Sequence, residues 1–169
     1  FHHMMHVNDY QQDAKRLLQQ AGIKELHAES SGIYFQYQNQ NYHITNLFST
    51  FLSEPLKEKL YADIHMKPRN CHQLAVDIAR EIKGEVYTGY LQFPTMKMFH
   101  SWCVKDGLAY DTMYDFALTE ELYETIFEPV DVIAISYDQI LKDEIEVEDI
   151  TIPYPVYLYC DYKNTIGQK

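Results

Sequence analysis

The chain has few cysteines, few basic residues and no long apolar run, and each shortage excludes a class of protein. Three cysteines in 169 residues, with no CxxC pair, do not make a disulfide framework and fit a reducing compartment. Lysine and arginine total 14 against 25 acidic residues, for a net charge of −11. Without a basic cluster such a chain repels a phosphate backbone, so no nucleic-acid partner is expected. No apolar stretch approaches the roughly 20 residues of a membrane-spanning helix. Residues 1–6 also lack the basic start and apolar centre of a signal peptide. A cytoplasmic protein with no membrane partner is the expectation. His2, His3 and His6 could bind a transition metal, but a frayed or tag-derived end is the commoner origin of such a run.

What is present suits a globular fold. With 46% hydrophobic and 23% charged residues the chain can bury a sizeable core. No repeat, low-complexity segment or linker interrupts it, so residues 1–169 are expected to form a single domain. Asn8 and Gln11 resemble a capping box, and Tyr10, Ala14, Leu17, Leu18 and Ala21 follow at helical spacing until Gly22. Ile33–Gln38 and Tyr42–Thr45, joined by Asn39-Gln40-Asn41, read as a hairpin. Ser53, Glu54 and Pro55 open a second helix through Leu56, Leu60, Tyr61 and Ile64. Further along, the pattern predicts a strand over Val86–Phe93, a short helix over Thr119–Ile126 and a buried strand over Val130–Tyr137. A brief helix near Gln139–Lys142, an acidic solvated loop and a last strand around Tyr154–Tyr159 complete the reading. The expected fold class is α+β, with the helices first and an antiparallel sheet packed behind the helix that begins at Cys71.

That helix carries the chemistry. Asn70 caps it, and Cys71, Leu74, Ala75, Ile78 and Ile82 form its apolar stripe before Gly84. A thiol at a helix N-terminus has its thiolate favoured by the helix dipole and by free backbone N–H groups. Downstream, Met98–Val104, Lys105-Asp106-Gly107-Leu108 and Ala109–Asp111 give an Asp-Gly hairpin signal of the primed type. With Lys105 opposite Leu108, Trp102 falls opposite Asp111 and His100 opposite Met113. Alternation then puts His100, Trp102, Val104 and Asp111 on one face and Ser101, Cys103 and Tyr110 on the other. Diagonal cross-strand neighbours stand roughly 7–8 Å apart at Cβ, which an imidazole and a carboxylate can close. Cys71, not Cys103, is therefore the expected nucleophile, with His100 as base and Asp111 orienting it.

These residues, Asn70-Cys71-His72-Gln73-Leu74-Ala75, Phe99-His100-Ser101-Trp102-Cys103-Val104, Asp106-Gly107 and Tyr110-Asp111-Thr112, resemble the transglutaminase-like branch of the papain-like cysteine peptidase superfamily. The resemblance covers residues 69–112. It implies a papain-like core and acyl transfer through a thioester, without cofactor or metal, on a peptide, protein or small-amide substrate. It also implies that Cys71 is the nucleophile, His100 the base and then acid, Asp111 the orienting residue, and that the Cys71 N–H is one oxyanion donor. The second donor, often a glutamine upstream of the cysteine in the papain branch, has no clear match here. Asn70, Gln73, Gln92 and Trp102 stand as candidates for oxyanion or substrate contact.

Other readings compete. Singly, Cys71 could be core packing, His100 a satisfied core histidine and Asp111 a turn residue. His65 and His72 invite a zinc site with Cys71, but adjacent helical residues point apart. Fifteen tyrosines on an acidic chain suggest a second class, a non-catalytic protein-binding module on the same fold.

Overall fold

In the computed structural model, residues 12–50, 52–62, 70–94, 97–143 and 154–167 are described. The Asn8 cap, His65 and the three N-terminal histidines lie outside them, as does most of the acidic loop. Six α-helices and one eight-stranded antiparallel sheet make up the described fold, which is α+β. The strands are β1 (Leu26–Glu29), β2 (Gly32–Tyr37), β3 (Gln40–Asn46), β4 (Glu85–Leu91), β5 (Met98–Lys105), β6 (Leu108–Asp111), β7 (Phe116–Thr119) and β8 (Val130–Ile135). Their order in the sheet is β1-β2-β3-β7-β6-β5-β4-β8. The helices are α1 (12–20), α2 (Glu54–Ala62), α3 (Cys71–Ile82), α4 (Glu120–Phe127), α5 (Tyr137–Asp143) and α6 (Tyr154–Gly167).

Period-two alternation in the central strands divides the interior into two cores. On one face Cys103, Tyr110 and Ala117 pack with Leu74, Ala75, Ile78 and Ala79 of α3 and Leu56 and Leu60 of α2. On the other, Trp102, Val104, Ala109, Phe116 and Leu118 meet Leu17 and Leu18 of α1 and Tyr123 and Phe127 of α4. The sheet does lie behind the Cys71 helix. It also carries helices on its second face, and three strands precede α2, so the helices do not simply come first.

Turn chemistry sets the registers. Asp106 and Gly107 both take positive φ, 51° and 78°, as a type I′ turn requires, and Lys105 pairs with Leu108 as the Asp-Gly signal predicts. The β2–β3 hairpin is tighter than its sequence suggests. Tyr37 pairs with Gln40 across Gln38 and Asn39, both at positive φ, and β3 starts at Gln40.

Two expectations need correction. Tyr154–Tyr159 is helical, the start of α6. Its aromatic content favours a strand, but Tyr154/Leu158 and Pro155/Tyr159 are spaced for one helix face. Tyr154 and Leu158 pack on the α3 core, and Tyr159 packs on Phe99 of β5. β8 stops at Ile135 and is an edge strand paired to β4 alone, so only Ile135 of it is fully buried. Strands β1 and β7 were not foreseen, and the four residues of β7 run directly into α4. Among the described residues no helix is long and apolar enough to cross a membrane.

Candidate thiol site

Cys71 is the first residue of α3, and the Asn70 side chain caps the helix by accepting from the Gln73 backbone N–H at 3.3 Å. The thiol is buried, about 8% exposed. β5 brings the histidine to it. β5 pairs with β6 no further than Cys103–Tyr110, so the expected Trp102–Asp111 and His100–Met113 pairings do not form. The cause is Asp111 itself. Its Oδ1 accepts the backbone N–H groups of Met113 at 2.8 Å and Tyr114 at 3.2 Å, which turns the chain out of the β5 ladder. Beside the stretch of β5 left unpaired on that side, α3 makes its contacts: the His72 ring lies on Phe99, and His72 bonds Ser101.

His100 and Asp111 nevertheless meet. His100 Nε2 donates to Asp111 Oδ2 at 2.7 Å, with both residues fully buried. Asp111 Oδ2 also accepts the Tyr123 hydroxyl at 2.7 Å, so four donors converge on one carboxylate. Burial alone would raise its pKa, but the facing imidazole and these donors hold it below the ordinary carboxylate range. With Nε2 committed, Nδ1 of His100 has no conventional hydrogen-bond partner among the described residues. It is the nitrogen left for the thiol.

The electrostatics follow from this layout. Burial disfavours the imidazolium, yet the Asp111 charge and hydrogen bond outweigh it and lift His100 to about 10. Burial likewise disfavours the Cys71 thiolate, but the electrostatic influence of His100 and, after it, His72 outweighs this and brings it down to about 6. Cys103 has no such neighbour and is pushed by burial to about 12. At neutral pH the first cysteine is a thiolate and the second a thiol. The sequence register had sent Cys103 to the opposite face, and it lies there, in the α3 core.

The remaining candidates divide. Asn70 is an exposed helix cap, and Gln73 donates its side-chain amide to Asp77 at 3.2 Å, down its own helix. Gln92 is exposed just past β4, its backbone N–H on the Phe127 carbonyl at 2.9 Å. Trp102 is buried, 6.2 Å from His100 and 5.3 Å from Tyr123 between ring centroids, which makes it the floor under the histidine. Tyr123 escaped the sequence reading, and His72 was weighed there only as a zinc ligand. Tyr123 looked like one more apolar position of α4, and only its hydroxyl on an apolar stripe signalled a buried partner. His72 looked divergent from Cys71, but its Nδ1 reaches Ser101 Oγ at 2.7 Å. Among the described residues no cluster of three or more histidines, cysteines and carboxylates has the arrangement of a metal site. Two open clefts, of about 660 and 510 Å³, lie along β1–β3 and at the β5–β6 turn, and no residue of the thiol site lines either.

No known protein family, curated protein or solved structure matches the chain.

Proposed function

We propose that the protein is a cysteine-dependent acyl-transfer enzyme of the papain-like, transglutaminase-like kind, hydrolysing an amide or peptide bond through Cys71, His100 and Asp111. The observation that carries this reading is the buried His100–Asp111 hydrogen bond of 2.7 Å, which leaves Nδ1 for a thiol at a helix N-terminus. In this mechanism the Cys71 thiolate attacks the carbonyl carbon, and the Cys71 N–H, unpaired within the first turn of α3, supports the oxyanion. As the C–N bond breaks, the His100 imidazolium gives its proton to the departing amine. Water then attacks the thioester, His100 takes its proton, and the C–S bond breaks to return the thiolate. Asp111 stays ionised throughout, keeping the imidazole in one tautomer.

A second reading, a non-catalytic binding module, is favoured by Tyr34. It is 40% exposed, stacked on His43 at 4.1 Å and lining the larger cleft, away from the thiol. Alkylation by iodoacetamide at pH 7, mapped by peptide mass spectrometry, separates the two. The enzyme reading expects Cys71 to react before Cys160, which is exposed, and before Cys103. Equal slow labelling of Cys71 and Cys103 would favour the module.

A further inference from the structure

Both oxygens of Asp111 are filled, by different kinds of donor. Oδ1 takes two backbone N–H groups, from Met113 at 2.8 Å and Tyr114 at 3.2 Å, so its partners are set by the turn that follows β6. Oδ2 takes two side chains, the His100 ring through Nε2 at 2.7 Å and the Tyr123 hydroxyl at 2.7 Å. The imidazole and the phenol therefore share one oxygen. Tyr123, His100 and Asp111 are fully buried, and the Tyr123 ring packs on Trp102 at 5.3 Å and Phe127 at 4.5 Å between centroids, so the hydroxyl has no water to turn to. A phenol buried beside a carboxylate stays protonated and can only donate to it. Each donor draws electron density from the oxygen that the other uses, so this hydroxyl weakens the hold of the carboxylate on the imidazolium proton.

We propose that Tyr123 is a positioning residue acting through Asp111, its hydroxyl limiting how firmly the shared carboxylate oxygen holds the His100 proton. The proposal rests on the thiol-enzyme reading for its purpose. In that mechanism His100 surrenders a proton to the departing amine, and an imidazolium on an unshared carboxylate oxygen would be the weaker acid. Oδ1, tied to the backbone, keeps the carboxylate in place while Oδ2 is tuned. The ionisable groups around the pair are Cys71 on α3, with His72 acting on the thiol, Tyr123 on α4, and Tyr114 after β6, with Asp13 of α1 acting on Tyr114.

The test is the titration of the His100 ring by nitrogen NMR of protein labelled at histidine, with His100→Ala assigning the resonance. The native midpoint should lie at about 10. Tyr123→Phe keeps the ring and removes the donor, and should raise the midpoint by about half to one pH unit. Tyr123→fluorotyrosine keeps the ring and supplies a more acidic hydroxyl, and should lower it by roughly a few tenths of a unit. A hydroxyl that only holds the fold together would change unfolding stability and leave both midpoints at the native value, which would overturn the proposal. A midpoint that falls in Tyr123→Phe would overturn it too, because the hydroxyl would then serve to aim the carboxylate at the ring. Should Tyr123→Phe not fold by circular dichroism, the fluorotyrosine midpoint decides alone. The enzyme reading is judged separately, by the pH profile of Cys71 alkylation with iodoacetamide in the native protein and His100→Ala. Superimposed profiles end that reading, while the Tyr123 titrations still decide what the hydroxyl does to the imidazole.

Discussion

His100 and Cys71 are displaced from their ordinary values in opposite directions, and the pair has a measurable signature. Between about pH 6 and about 10 the folded site holds thiolate and imidazolium, so turnover should follow a bell with limbs near those values. Stability follows a different rule. His100, raised, contributes stability that is complete below 6.5 and lost as pH rises through about 10. Cys71, lowered, contributes stability that is complete above 9.0 and lost as pH falls through about 6. From 6.5 to 9.0 the folded and unfolded pair each bind one proton, so their effects cancel and native melting temperature should be nearly flat there. Cys71→Ala removes one side of the balance. Its stability should fall with rising pH by up to about 1.4 kcal/mol per unit, and melts across that range would show a flat line if His100 were not raised. Asp111→Asn should keep the fold but cut acyl transfer by about 10³–10⁴-fold, because an amide favours the wrong imidazole tautomer; an unchanged rate would remove Asp111 from the mechanism. Tyr123→Phe leaves Asp111 with one donor fewer, and should cost about 1–3 kcal/mol in denaturant unfolding.

At the scale of elements, α3 and the β5–β6 hairpin were legible because each has a local cause. Asn70 is a cap, Cys71 to Ile78 have helical spacing, and Asp106-Gly107 demands positive φ. The face assignment of His100 against Cys103 followed from strand alternation alone. What stayed hidden depends on partners distant in sequence. Tyr154–Tyr159 satisfies a strand's composition and a helix's spacing at once, and only packing on α3 and Phe99 decides between them. β1 is four half-exposed residues whose reason to be extended is β2. Tyr123 is invisible as a site residue until the chain is folded, and His72 shows its Ser101 partner only then. Gly84 shows the same limit. It was read as a helix stop, but Lys83 takes the left-handed cap at φ 61°, and Gly84 serves a contact. A Cβ there would lie 2.9 Å from Cys103 Sγ and 3.0 Å from the Val104 carbonyl oxygen. Gly84→Ala should therefore destabilise by about 1–3 kcal/mol in urea, and a neutral result would mean that β5 can move away.

The whole molecule carries −11, and that charge opposes its compaction. Raising ionic strength from 0.01 to 0.15 M shortens the screening length from roughly 30 to 8 Å, so melting temperature at pH 7 should rise with salt. A fall would mean that local pairs such as Lys59–Asp77, 2.6 Å apart, outweigh the general repulsion. The sheet adds a further consequence. Cys71 rides on a helix of one core, whereas the residues around Trp102 and Tyr123 that seat His100 and Asp111 belong to the other, on the opposite face of the same strands. A chain that has formed only one of these layers holds either an ordinary thiol or a histidine with no sulfur beside it. The lowered thiol pKa and the raised histidine pKa should therefore arise together, only once both halves are complete.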